Sequence, residues 1–262
     1  MKDVRPQLLI DGDIVAYTIA ASNQIDVMYS DEEVHRSCNL GDMKKAWDEE
    51  IKRLTTLLKG DVKIIAFSDA SKNNFRKKFL PSYKDNRKST EKPIGLAMLT
   101  QWIKEAYPDQ YKFVPHLEAD DILGIYATNP NADTSNMVIV SVDKDFMTIP
   151  NVTLYNQGKH LFHESDTSTA YDFFLTQVLS GDTVDGYSGC PGIGPAKAEK
   201  YVAKGWTGVV EAYEKAGLTE EDALVQARCA RILHHSDYNF KTKEVIPWHP
   251  IDTKECFTKK NK

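Results

Sequence analysis

The sequence predicts an α/β protein: a central, mostly parallel sheet flanked by helices, followed by a helical lobe. Three observations carry that expectation. Short apolar runs alternate with helical stretches through the first two-thirds of the chain. From Thr169 onward, helix signals follow one another on short links bearing Gly and Pro. Acidic residues also recur at the ends of the strand-like runs, where open parallel sheets bind their ligands.

The strand-like runs are residues 8–11, 62–67, 137–142 and 152–155. Between them, residues 42–59 carry Met43, Ala46, Trp47, Ile51, Leu54 and Leu58 at helical spacing, with Gly60 in the position of a C′ residue. Pro93 opens a second helix, with Leu96, Leu99, Ile103 and Ala106 on one side. A third begins near Ala119 and runs to about Thr128. In the last third, Thr219-Glu220-Glu221-Asp222 has the form of an N-terminal cap. Residues 1–165 are therefore expected to form a sheet domain, and residues 166–262 a helical lobe that completes its site.

Composition narrows the function classes. The chain has 262 residues, 41% hydrophobic and 27% charged, enough for a globular core. No apolar run approaches the ~20 residues of a membrane span. Residues 1–6 contain no apolar signal core, so a cytoplasmic protein is expected. The four cysteines, Cys38, Cys190, Cys229 and Cys256, form no CxxC pair, which argues against a zinc site or a disulfide framework. The pairs His160/His163 and His234/His235 lack a third ligand at a suitable spacing and are read as surface or cap residues.

The acids form the main signal. Asp11, Asp69 and Asp143 each end an apolar run, and Asp145 follows two residues after the last. Glu118, Asp120 and Asp121 open a helix, and Asp182 and Asp185 follow another. Setting these nine aside turns the formal net charge of −5 into +4. Converging carboxylates repel one another and need a cation. Without His or Cys in the set, oxygen ligation selects Mg²⁺ or Mn²⁺, and a site this rich can hold two ions. A single Asp after a strand is ordinarily a turn or cap residue, and Asp13 is read that way, as a helix cap.

Together with their order and spacing, these motifs resemble the 5′-nuclease superfamily of flap endonucleases and 5′→3′ exonucleases. The resemblance covers Ile10-Asp11-Gly12-Asp13, Asp69 with Phe75-Arg76, and Pro81 through Arg87. It continues through Glu118-Ala119-Asp120-Asp121, Asp143-Lys144-Asp145, and Gly181 through Gly186 leading to Pro191-Gly192-Ile193-Gly194. The short length is similar to that of a free-standing phage exonuclease. The resemblance implies a PIN-like sheet domain with a helix–three-turn–helix lobe, and metal-dependent hydrolysis of phosphodiesters at DNA 5′ ends. Flaps, RNA–DNA hybrids and RNA primers in phage DNA replication are within its range. By family position, Asp120, Asp121 and Asp143 are ligands of a first Mg²⁺, and Asp145, Asp182 and Asp185 of a second. Asp11, Asp69 and Glu118 act directly or through water. Two departures concern loop shape and substrate preference: Gly186, where many relatives have Asn, and Cys190, where many have Val.

Basic residues supply the rest. Residues 72–92 hold eight Lys or Arg against two acids. The resemblance makes Lys84 and Arg87 electrophiles at the scissile phosphate, with Tyr83 stacking on a base. Lys72, Arg76, Lys77, Lys78, Lys88 and Lys92 are expected to line a positive arch, within residues 72–107, as exchangeable phosphate contacts. Gly192 and Gly194, with Lys197 and Lys200 on the helix begun by Pro195, are expected to clamp the DNA backbone. In the family such a hairpin holds a monovalent cation, here K⁺. A single-stranded-DNA-binding or replisome protein is an expected partner.

Two other classes stay open at this stage. Asp11-Gly12-Asp13-Ile14-Val15 also fits the nucleophile motif of a haloacid-dehalogenase-type phosphatase, with Asp11 phosphorylated. A non-catalytic DNA-binding module would use the hairpin and the basic track alone.

Overall fold

The computed structural model describes residues 5–29, 34–69, 73–89 and 91–250, with the side chains of Lys88 and Ser89 excepted. Strand β1 (Gln7–Asp11) leads into helix α1 (Gly12–Ser22), and a hairpin of β2 (Gln24–Met28) and β3 (Val34–Cys38) precedes α2 (Leu40–Leu57). β4 (Asp61–Phe67), α3 (Leu96–Ala106), β5 (Tyr111–Phe113), α4 (Ala119–Ala127) and β6 (Met137–Ser141) follow. β7 (Thr153–Asn156) and β8 (Leu161–Glu164) complete the sheet. Four helices come next: α5 (Thr167–Ser180), α6 (Pro195–Val202), α7 (Trp206–Lys215) and α8 (Glu220–Ala230). A short hairpin of β9 (Tyr238–Asn239) and β10 (Glu244–Val245) ends the described chain.

The six-stranded sheet runs in the order β5-β4-β1-β6-β7-β8. All its pairings are parallel except β7 with β8. Alternation along the strands divides the core. Leu8, Ile10, Ile65, Phe67 and Val140 pack beneath α1, α2 and α3, with Trp47 and Ile103. Leu9, Ile64, Ala66 and Ile139 face the opposite way, onto Ile122 and Leu123 of α4. A third apolar cluster joins α5 through α8, and Tyr83 belongs to it.

The four expected strands and three expected helices form within a few residues of their predicted bounds. The exceptions have local causes. β5 and β8 are too short to show a period, and the β2–β3 hairpin carries exposed Ile25, Val27 and Met28. Helix α3 starts at Leu96 behind Gly95 rather than at Pro93, and Ala106 is exposed. At the end of α2, Lys59 takes the left-handed conformation (φ 49°) expected of Gly60. Gly60 answers a different need: a Cβ there would lie 2.8 Å from the Pro6 carbonyl oxygen and 2.7 Å from the Leu8 side chain. The Thr219–Asp222 capping box forms as expected at the start of α8.

Candidate active site

The parallel strands end on one side of the sheet, and Asp11, Asp69 and Asp143 stand at or just beyond the ends of β1, β4 and β6. Asp11 closes β1 and caps α1, with Oδ1 accepting from the Ile14 N–H at 3.3 Å and Oδ2 from the Ser141 hydroxyl at 2.9 Å. Ser141 Oγ accepts in turn from the Asp143 N–H at 3.1 Å, which locks the β1 and β6 ends together. Asp143 accepts from the Asp145 N–H at 2.9 Å, and Asp145 Oδ1 accepts from Gln177 Nε2 of α5 at 2.7 Å. Asp182 folds its own loop, accepting from the N–H groups of Val184 and Asp185. Gly186 closes that loop at φ 75°, a conformation that Asn also tolerates. Asp69 accepts from the His116 N–H at 2.8 Å.

Among the described residues, Lys84, Arg87 and Arg76 pair with acids of the cluster. Lys84 Nζ lies 2.6 Å from Glu118 Oε1 and 3.3 Å from Asp185 Oδ2. Arg87 donates to Asp185 Oδ1 at 2.7 Å. Glu118, Asp120 and Asp121 offer carboxylate oxygens within 4.8 Å of one another. Asp121 is fully buried, and its oxygens already receive both Arg76 terminal nitrogens and the N–H groups of Glu118 and Leu233. Any metal at Asp121 therefore competes with that pairing.

The electrostatics divide accordingly. Burial alone would raise the Glu118 pKa, yet Lys84 and Arg76 pull it down to about 2. Burial pushes Asp11 up to about 7, with Asp13 adding repulsion. Burial also raises Asp145 to about 7, helped by the charges of Asp143, Asp182 and Asp185. Asp120 is raised by burial and by Asp121 and Glu118. Among the described residues, ion pairs reach Glu118, Asp121 and Asp185, and none is found at Asp11, Asp143 or Asp145. Asp11, Asp143 and Asp145 are thus carboxylates without an ion pair, while among the described residues Glu118, Asp120 and Asp121 are the acids whose oxygens lie close enough together to hold a divalent ion.

Several expected roles need correction. Arg76 is not a phosphate contact. It is 1% exposed, forks onto Asp121 at 2.7 and 2.8 Å, and donates to the Cys229 and Arg231 carbonyls. Tyr83 cannot stack on a base, because it is also 1% exposed and its hydroxyl bridges Glu118 and Asp185 at 3.1 and 2.9 Å. Asp13 does not cap α1; Asp11 does, and Asp13 accepts from the Ser68 N–H at 2.9 Å. Lys77 is held by Asp85 at 2.8 Å, whereas Lys78 is exposed. Lys72 and the Lys88 side chain lie outside the described residues. In the hairpin, Gly192 (φ 75°) and Gly194 (φ −94°) border open space, and Lys197 Nζ donates to the Gly192 carbonyl at 3.0 Å. Lys200 is exposed, with Nζ 4.7 Å from the Tyr201 ring centre.

Ser141 and Gln177 were missed from sequence. Ser141 had a faint signal, two residues before Asp143 on a strand. Gln177 is a polar residue on the otherwise apolar buried face of α5.

A family model described as the 5′–3′ exonuclease N-terminal resolvase-like domain matches residues 7–172. The chain belongs to the 5′→3′ exonuclease family. It is 31% identical to an exodeoxyribonuclease of Enterobacteria phage T3, over 93% of this chain and 92% of that one. It is 30% identical to an exonuclease of Escherichia phage T7, over 93% of each. The fold is similar to that of the phage T5 5′-exonuclease solved with divalent zinc ions, with a TM-score of 0.62 at 15% identity, covering 86% of this chain and 89% of that one. A T5 flap endonuclease complex with DNA and metal ions gives the same TM-score at 16% identity, over 85% and 88%. Membership in this nuclease family decides against the phosphatase and the non-catalytic module. Among the described residues, no helix is long and apolar enough to cross a membrane.

Proposed function

We propose that the chain is a divalent-metal-dependent 5′→3′ exonuclease that hydrolyses phosphodiesters at DNA 5′ ends, with flaps and RNA primers on DNA as further substrates. The observation that carries this reading is the Lys84 ammonium held between Glu118 and Asp185, at the border between the paired and the uncompensated acids. A phosphate brought there meets a cation on one side and a metal-binding carboxylate set on the other.

Asp120 and Asp143 would hold one Mg²⁺, with Asp145, Asp182 and Asp185 around a second, and Mn²⁺ would substitute. Asp11, Asp69 and Glu118 would serve directly or through water. Bound there, the ions would neutralise phosphate charge and activate the attacking water. Lys84 and Arg87 move from carboxylates to the phosphate, where their donors oppose the charge that develops in the transition state. Tyr83 keeps Glu118 and Asp185 in register. Gln177, Asp182 and Asp185 all follow residue 166, which supports the reading that the helical lobe completes the site. The open backbone at Gly192 and Gly194 would accept a DNA phosphate, and K⁺ at the hairpin carbonyls would strengthen that contact.

End-labelled duplex, flapped and RNA-primed substrates, compared in Mg²⁺ and in EDTA, test the reading. A 5′ label should be lost early as short nucleotides while a 3′ label stays on long fragments. Hydrolysis in EDTA, or the opposite polarity, would sink it.

A further inference from the structure

A cavity of about 880 Å³ opens beside the acid cluster, at the β5 edge of the sheet. One wall is aromatic. Tyr111 and Phe113 stand two apart on β5 and so share a face. Tyr111 stacks on Phe67 with ring centres 4.9 Å apart, while Phe113 is 45% exposed. The opposite wall is α3, which turns Ala97, Thr100 and Lys104 to the cavity at i, i+3 and i+7. Small side chains at 97 and 100 facing aromatic rings leave a slot suited to a flat group. Lys104 and Lys92 line the same cavity. Its inner end reaches the catalytic residues through a short relay: Asp13 accepts from the Ser68 N–H at 2.9 Å, and Ser68 Oγ accepts from the N–H of Ala119, next to Glu118.

We propose that this slot holds one nucleotide of the bound strand, with its base against Phe113 and its phosphates toward Lys92 and Lys104. The inference rests on the exonuclease reading and adds a base-binding subsite to it. An aromatic platform with flanking cations takes any base, because every base has a π face. The subsite therefore fixes the position of the strand without reading its sequence, as an end-directed enzyme needs.

An abasic scan tests the proposal. Binding of single-stranded and 5′-tailed DNA is measured in Ca²⁺ for the wild type, Phe113→Ala and Ala97→Trp, moving one abasic residue along the strand. Phe113→Ala removes the exposed ring, and Ala97→Trp fills the slot from the exposed side of α3, so two independent substitutions report on one site. Both should weaken binding of intact DNA roughly tenfold, within the range for losing one base stack. Both should lose that effect when the abasic residue occupies one particular position near the 5′ end. A general loss of folding would weaken every substrate alike and would not show this coupling. If wild type cleaves from the 5′ end in Mg²⁺ but neither variant couples to any position, the slot binds no base and the inference is overturned. Failure of the wild type to cleave at all would overturn the exonuclease reading, and this inference with it.

Discussion

The Lys84 ammonium sits 2.6 Å from Glu118 Oε1, and this pairing holds a cation at the edge of the carboxylate cluster before substrate arrives. Burial would lower the Lys84 pKa, but Glu118 and Asp185 raise it, so the charge is present throughout the neutral range. Lys84→Ala should lower single-turnover cleavage at saturating enzyme by roughly 10²–10³-fold, the scale of one lost charge-stabilising donor. Binding in Ca²⁺ should change far less, because interactions equal in both states affect affinity rather than turnover. Cleavage at the wild-type rate would make Lys84 an ordinary phosphate contact and leave the electrophile to Arg87.

Arg76 should behave as a structural residue. Its pair with Asp121 is excluded from water on both sides, and breaking such a pair costs about 3–5 kcal/mol. Arg76→Ala should show that loss in urea unfolding without DNA. Arg76→Lys should recover little, since an ammonium cannot fork onto both Asp121 oxygens and two carbonyls. A variant of unchanged stability but weakened DNA binding would return Arg76 to the phosphate track.

Metal binding should follow the protons. Asp11 and Asp145 both titrate at about 7 in the folded protein, far above an ordinary carboxyl. Mg²⁺ must displace those protons, so its apparent affinity should rise with pH up to slightly above 7 and then level off. In EDTA the sign is reversed for stability. The folded state binds more protons than the unfolded chain between about 4 and about 7, so melting temperature should fall as pH rises through that window. Mg²⁺ should cancel that fall. Flat melting curves in EDTA across the window would remove the uncompensated cluster. Asp143→Asn should abolish turnover and leave DNA binding intact.

The two hairpin glycines should separate. Gly194 has ordinary backbone angles and open space around it, so Gly194→Val should fold normally and weaken duplex binding alike for all sequences. Gly192→Val places a β-branched residue at φ 75° and should also destabilise the hairpin. Unchanged affinity in folded Gly194→Val would make the glycines an ordinary turn.

Lys78 is the exposed member of its pair, whereas Lys77 is already held by Asp85. Lys78→Ala should reduce the salt slope of duplex binding by up to ~0.9, the value of one lost phosphate contact, with cleavage near normal at saturation. An unaltered salt slope would exclude Lys78 from the track.

The carboxylates were legible in sequence because a strand–helix pattern is local, and a parallel sheet sends every strand end to the same side. Asp11, Asp69 and Asp143 needed only the apolar runs before them, and the capping box at Thr219 needed only four residues. The partners that tune those acids were not legible. Gln177 reaches Asp145 across 32 residues and Ser141 reaches Asp11 across 130. Arg76 and Lys78 stand two apart in one basic run and look alike. Tertiary structure makes one a buried anchor and leaves the other in water. What separates them is Asp121, 45 residues on, with carbonyls 153 and 155 residues away. Local periodicity encodes which face a residue takes on its own element. It does not encode which distant groups close over that face, and that closure decides whether a charge is desolvated and paired or free to meet a phosphate.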